Sequence, residues 1–562
     1  MNLDNSESTS PPPSLQRGKA CLNCRKRKMR CDGEKPVCGP CGRRNDECEY
    51  TDRPGPTKTQ VLEEHITFLE NRIRDLENPS ESSSSVFLAD PYAAQPQPQP
   101  AYNRDTSLIM AHTVPAIDLL ALPDRWWENE EPPVQLRPIF LNSFLPYVSV
   151  IGFFLSVPRF VNSFYEPAPN SRPSPALLNT IYLWGLKLAS VDSLAAYEST
   201  FLSRAIQSVA GALGTTHPHK AKHALQAELL LSNYFFWTGR FLEGRYHCGA
   251  AVSIAISIGS HRTRSSQLPN PNPTTDQVEE GECINAFWSV YVNDACWGVA
   301  MNVPSGMPDQ KVPNARIDAP WPLDMAQYER GLLTSDIRGF NTMESFLNNP
   351  APATSAEEAS LFAKICKGAA VMEKAFRLVP SFKPDMKEEA LATFNQALQK
   401  LTQVTETFAA TLPALVPSGD IDMHVLRNQI LAHTLVHKAF IHLNINFTTS
   451  DIAANVRCVE AATSMIKLFD DIDLVRLEIL PPIIANALLT AGRVLIQEIA
   501  RLDPMTAQSS DILPIAARKE EVVNLLDRLE LIMVTVGTKA PIFSLQHGVL
   551  RKSRDEQVVI SV

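Results

Sequence analysis

Cys21, Cys24, Cys31, Cys38, Cys41 and Cys48 place six of the chain's eleven thiols within twenty-eight residues, as two copies of a C-x2-C-x6-C pattern. A C-x2-C turn lets two thiolates chelate one tetrahedral zinc, and the third sulfur of each copy arrives from beyond a short helix. Three ligands do not close a structural site. Two zinc ions need eight ligand positions, which six thiolates supply only when two are shared, and the repeat points to the first cysteine of each copy, Cys21 and Cys38, as the bridges. Each Zn2+ then has four sulfurs and no position for water, which is a structural arrangement rather than a hydrolytic one. So small a module has almost no apolar core, and it is expected to unfold without metal.

Between the second and third thiols runs RKRKMR, residues 25–30. Residues 17–48 carry ten Lys/Arg against four Asp/Glu, whereas the whole chain of 562 residues has a net charge of −9. A small basic head on an acidic body is a pattern of nucleic-acid binders. The first sixteen residues contain no apolar run of the kind a secretory signal needs, so dense thiols read as metal ligands rather than disulfides. The apolar stretch at 140–157 is broken by Asn142, Ser143, Pro146 and Ser149 and reads as a buried pair of helices, not a membrane span. No membrane partner is expected.

Residues 21–48 resemble the fungal zinc binuclear cluster (Zn2Cys6) DNA-binding domain in cysteine spacing, in the basic run and in the KPVC loop. The resemblance implies bridging roles for Cys21 and Cys38 and places Pro36 in the loop that reverses the chain between the halves. It also implies a short helix between Cys24 and Cys31 whose end enters the major groove of double-stranded DNA. Arg27 and Lys28 align with base-reading positions, Lys28 donating to guanine O6 and N7 of a CGG-type triplet. Arg25, Lys26 and Arg30 are then expected at phosphates, as are Lys19, Arg43 and Arg44. Many members have Lys where Arg27 stands. The implied function is sequence-specific, zinc-dependent regulation of RNA polymerase II transcription in the nucleus, with transcription machinery or co-regulators as partners.

These residues need elements to position them. Residues 1–16 read as a disordered tail, 17–50 as the zinc head and 51–57 as a linker stiffened by Pro54 and Pro56. A helix is expected over 58–78, where Leu62, Ile66, Leu69, Ile73 and Leu76 step by four and three. That is the seam of a parallel two-stranded coiled coil, with Ile at a and Leu at d. Lys58, His65 and Arg72 fall at g, and Glu63, Glu70 and Glu77 at e, a register that pairs charges across a homodimer. The His65 pair strengthens only on protonation. Residues 79–104, rich in Ser, Pro and Gln, read as a flexible connector.

From 105 to 562 the pattern is mostly α, a large all-helical regulatory domain without strand alternation. Helices are expected at 221–262 as a pair hinged at Thr238-Gly239, and around 282–300, 355–378, 385–412, 424–446, 452–470, 480–502 and 516–534. Segments 265–277 and 302–322 read as surface loops. Residues 225–315, with GRFLEG, FWSVYVNDACW and PSGMPDQKV, are similar to the fungal-specific regulatory (middle homology) domain, which implies a body that restrains the head or senses a small-molecule effector. That family has basic residues just before the FW pair, where this chain has Glu282, Cys283, Ile284 and Asn285. Leu225, Leu229, Phe236, Trp288 and Trp297 read as core, and Cys248, Cys283, Cys296, Cys366 and Cys458 as small buried hydrophobes. His217 and His219 lack further ligands in the sequence. No nucleophile elbow, phosphate loop or HExxH occurs, so the chain does not read as an enzyme. Two other classes were weighed: an enzyme or receptor-like body carrying a zinc module for partner binding, and a zinc-stabilised interaction scaffold. The first predicts little sequence selectivity on DNA and turnover without DNA, the second that the basic helix can be neutralised without consequence.

Overall fold

Capping side chains mark where the body's helices begin. Asp276, Ser360, Asp422 and Asp451 each accept a hydrogen bond from a backbone N–H of the turn that follows, satisfying donors that a helix start otherwise leaves open. In the computed structural model the described residues are 20–50 other than 45, and 122–556 apart from 190, 270–274, 311, 352–353, 416–421 and 509–511. Lys19, the linkers, and the 58–78 helix with its seam Leu62, Ile66, Leu69, Ile73 and Leu76 lie outside them. The chain forms two units, one ending at Tyr102 and one beginning at Asn103.

In the head, α1 is Leu22–Lys26 and α2 is Gly39–Gly42. The body begins with α3 (Arg137–Phe144), α4 (Val157–Phe164), α5 (Pro175–Leu188) and α6 (Glu198–Ala210). It continues with α7 (Lys220–Trp237), α8 (Phe241–Ser257) and α9 (Gln277–Ala300). Then come α10 (Leu361–Leu378), α11 (Glu388–Ala409), α12 (Met423–Asn444) and α13 (Ile452–Lys467). The last three are α14 (Ile483–Gln508), α15 (Ile512–Gly537) and α16 (Pro541–Asp555). Among the described residues there is no strand ladder, only an isolated bridge between Ser265 and Gly339. Helices adjacent in sequence pack pairwise, α7 on α8, α12 on α13 and α14 on α15, while α10 packs on both α9 and α12.

The expected hinge is a Schellman turn: Gly239 at φ 79°, with Arg240 N–H bonded to Phe235 O at 2.8 Å and Gly239 N–H to Phe236 O at 3.1 Å. Beyond it Gly244 lets α8 approach the ring of Phe236, which stacks on Trp297 with centroids 3.9 Å apart. Leu225, Leu229, Phe236, Trp288 and Trp297 are all core. Of the five body cysteines Cys283 is only half-buried; the other four are buried. The segment Ile483–Asp503 of α14 is long and apolar enough to cross a membrane, but 72% of it is buried in the body.

Two expectations for the body fail. Residues 140–157 are not a helix pair: α3 ends at Phe144, and 148–156 runs as turns and extended chain, with Gly152 at φ 81°. Pro146 takes a backbone donor out of any continuing helix, and α7 supplies the partners that helix bonds would have provided. Gln226 Oε1 accepts from Phe154 N at 2.8 Å, Gln226 Nε2 donates to Gly152 O at 3.0 Å, and Asn233 Nδ2 donates to Ile151 O at 2.9 Å. The stretch 302–322 is not wholly a surface loop either, because its second half, Ile317 to Trp321, is buried. Trp321 stacks on Trp288 at 4.4 Å, and the indole N–H of Trp288 donates to Pro320 O at 2.7 Å.

Candidate metal centre and nucleic-acid interface

Each half of the head begins the same way. Cys21 is the N-cap of α1, its sulfur accepting from Cys24 N at 3.4 Å, and Cys38 is the N-cap of α2, with Pro40 in the first turn. Asp32 holds the start of α2 through its carboxylate, which accepts from Gly39 N at 2.8 Å. The sequence reading missed Asp32, which stands six residues before the N-cap Cys38 and so outside any local capping pattern. Leu22 N–H bonds to Glu49 O at 2.9 Å and closes the two ends of the module on each other. The Lys35–Pro36 loop lies between the halves.

The sulfurs converge in two overlapping groups: Cys21, Cys24, Cys31 and Cys38, and Cys21, Cys38, Cys41 and Cys48, with all sulfurs in each group within 4.8 Å of one another. The shared pair is Cys21 and Cys38. Tetrahedral zinc with sulfur at about 2.3 Å separates its ligands by about 3.8 Å. Cys21 and Cys38 sit at 3.6 Å and Cys24 and Cys38 at 3.7 Å, so the donor set fits the ion. The six thiols thus provide for two Zn2+ ions that share Cys21 and Cys38 as bridging ligands. When bound, zinc supplies the cross-links of this module and no catalytic chemistry. Its buried side chains are Cys21, Cys24, Cys31, Cys38 and Cys41, with Met29, Cys48 and Tyr50 among the residues packed against them.

Burial pushes the Cys24 and Cys41 thiols up to about 12. Thiolate ligation therefore displaces protons, and apparent zinc affinity is expected to fall as pH drops from about 8 to about 6. A competition titration with a chromophoric chelator, corrected for the chelator's own protonation, measures this. An affinity that stays flat across that range would argue against thiolate ligands.

The basic run stands on this cluster. α1 stops at Lys26, shorter than the helix expected up to Cys31, because Met29 N–H turns back to Cys24 O at 2.9 Å and Lys28 adopts a left-handed φ of 55°. Arg25, Lys26, Arg27, Lys28 and Arg30 are all exposed, as are Arg43 and Arg44. Arg27 pairs with Asp46 at 3.1 Å, a contact the sequence reading did not foresee. Arg44 reaches Met29 Sδ at 3.3 Å, which brings a cation of the second half against the first half's run.

In the body, the acidic residue before the FW pair has a structural role. Glu282 is buried, accepts from Ser156 N at 3.0 Å and pairs with Lys222 at 2.7 Å, tying 148–157 to α7 and α9. Asp294 is fully buried on α9 and is the hub of the PSGM loop: it pairs with Arg245 at 2.6 Å, accepts from Gly306 N at 3.0 Å and is bonded by the Ser305 hydroxyl. His217 and His219 do gain a neighbour, with His223 4.9 Å and 5.7 Å away between ring centroids. Yet His217 Nδ1 accepts from His219 N at 3.1 Å and His223 Nδ1 from Ser174 N at 3.1 Å, so the trio braces backbone and does not converge on an ion.

Comparison with known proteins agrees with this geometry. The fungal Zn(2)-Cys(6) binuclear cluster domain matches residues 19–57, and the fungal specific transcription factor domain matches residues 137–367. The notoamide biosynthesis cluster transcriptional coactivator of Aspergillus versicolor is 23% identical over 332 residues, 56% of this chain and 59% of that protein. The citrinin biosynthesis transcriptional activator of Monascus purpureus is 43% identical over 74 residues, 12% of each chain. The zinc finger transcription factor YRR1 of Saccharomyces cerevisiae is 36% identical over 85 residues, 13% of this chain and 10% of that one. The chain thus spans about three fifths of the first relative and about a tenth of the other two.

A head whose thiols can bridge two zinc ions, followed by an all-helical body, has the make-up of a zinc-cluster transcription regulator. The chain thus combines a fungal zinc binuclear cluster domain with a fungal specific transcription factor domain.

Proposed function

We propose that this protein binds double-stranded DNA as a homodimer in the nucleus, reads CGG-type triplets in the major groove and regulates RNA polymerase II transcription. Lys28 carries the reading. It stands exposed on the left-handed turn that ends α1, on backbone held by the Cys24 sulfur's own residue. In this reading Lys28 donates to guanine, while Arg25, Lys26, Arg30, Arg43, Arg44 and Lys19 meet phosphates. Arg27 reaches a base only by leaving Asp46, so it is assigned the lesser share. The 58–78 helix pairs two heads through Leu62, Ile66, Leu69, Ile73 and Leu76, and co-regulators or a small effector act through the helical body.

Lys28→Ala is expected to cost about 1–3 kcal/mol at one base position, because a paired guanine contact is lost. Binding of the full chain to its selected site and to single-base variants of that site reads this directly. Equal weakening on specific and random DNA would make Lys28 a phosphate contact instead.

A further inference from the structure

The non-helical stretch 148–158 leaves space beside it. With α9, α10, α12 and the chain entering α14 it lines a half-open cavity of about 700 Å3, within the about 300–1,000 Å3 range of small-molecule sites. One stripe of α9 forms its floor: Asn285, Ser289, Val292, Asn293 and Cys296 recur at helical spacing. Ser289 and Val292 are only half-buried, although Trp288, Val290, Tyr291 and Asn293 around them are buried. That stripe therefore faces open volume instead of packed side chains. Most of the remaining wall is apolar, from Phe154, Leu155 and Val157 on one side to Leu431 and Ile483 on the other.

Two polar atoms in this wall lack partners. Ser149 Oγ and Gln429 Oε1 are buried with no hydrogen bond among the described residues. Both atoms are shut off from the open space, but Gln429 is only half-buried and its Nε2 is bonded to nothing among the described residues, so a hydroxyl or carbonyl oxygen on a guest can accept from it. The charged groups of the wall are already engaged. Asp324 accepts from Leu361 N at 3.2 Å and Phe362 N at 3.1 Å, Glu329 accepts from Ser156 Oγ at 3.0 Å, and Lys364 donates to Glu358 O. Two carboxylates against one ammonium make the cavity unwelcoming to an anion.

The geometry points to a binding site in the helical body for an uncharged, mainly apolar organic molecule that carries a hydroxyl or carbonyl oxygen, seated on the Ser289 face of α9 and accepting a hydrogen bond from Gln429. This deepens the reading of an effector-responsive body and is tested without DNA, so a failure of triplet recognition leaves it standing.

Three related fluorescent probes share one hydrocarbon: trans-4-hydroxystilbene, trans-stilbene and trans-stilbene-4-carboxylate. Titrated into the full zinc-loaded chain, the hydroxyl probe is expected to bind saturably at one site, at least about tenfold more tightly than the carboxylate. Ser289→Phe, which fills the floor, should weaken it about tenfold or more. Gln429→Leu keeps the cavity and should erase the preference for the hydroxyl over the plain hydrocarbon, which decides the matter if Ser289→Phe does not fold. Non-saturable binding, binding unchanged by both variants, or a carboxylate probe bound as tightly as the hydroxyl one would overturn the assignment.

Discussion

Replacing Cys38 with serine is expected to strip both zinc ions from the head and unfold it, while the helical body keeps its own unfolding transition. Cys38 belongs to both sulfur groups, so one substitution opens both metal sites. Apart from the thiols no described residue of the head is buried, so no apolar core among them survives to compensate. Metal analysis of the purified variant, with amide spectra of residues 20–50, makes the measurement. Cys24→Ser is the comparison: it touches only one sulfur group, and at least one zinc should remain. A Cys38→Ser chain that retains two zinc ions would rule out the shared-ligand arrangement.

The second large effect is expected in the body. Asp294→Ala should destabilise it by about 3 kcal/mol or more, since it abandons Arg245, Ser305 and the Gly306 N–H together. Arg245 also donates to Pro304 O at 2.7 Å, so the loss frees the PSGM loop from α8 as well as from α9. Denaturant unfolding followed by tryptophan fluorescence reports on the body, because Trp126, Trp184, Trp237, Trp288, Trp297 and Trp321 are all buried there. A midpoint within experimental error of the parent chain would mean the hub holds nothing together. DNA binding by the head is the internal control and should be unchanged.

How much of this was readable from residues alone depends on whether the signal was local. Six thiols at fixed spacing constrain each other whatever surrounds them, so the zinc pairing through Cys21 and Cys38 was legible. The end of α1 was not. It depends on a backbone turn from Met29 to Cys24 and on a left-handed Lys28, a conformation that no lysine advertises. The Arg27–Asp46 pair joins residues nineteen apart across the cluster, beyond any periodic pattern.

In the body the hinge at Gly239 was legible because glycine is the residue that a left-handed cap favours. α5 went unnoticed because Ala176 through Leu186 are buried on every side, which removes the polar stripe that reveals an amphipathic helix. Residues 148–156 were read as helix from their apolar content. Their real form depends on Gln226 and Asn233 of α7, some seventy to eighty residues further along. The same error concealed the cavity, since a helix packed there would have left no space for one.

The central claim is that a zinc-held head reads DNA sequence. Selection of binding sites from random duplex DNA by the full zinc-loaded chain, at near-physiological salt and again with chelator, tests it most directly. Recovery of paired CGG-type triplets, lost when zinc is removed, is the predicted result. Weak, salt-sensitive binding with no enriched sequence, or enrichment that persists without zinc, would contradict it.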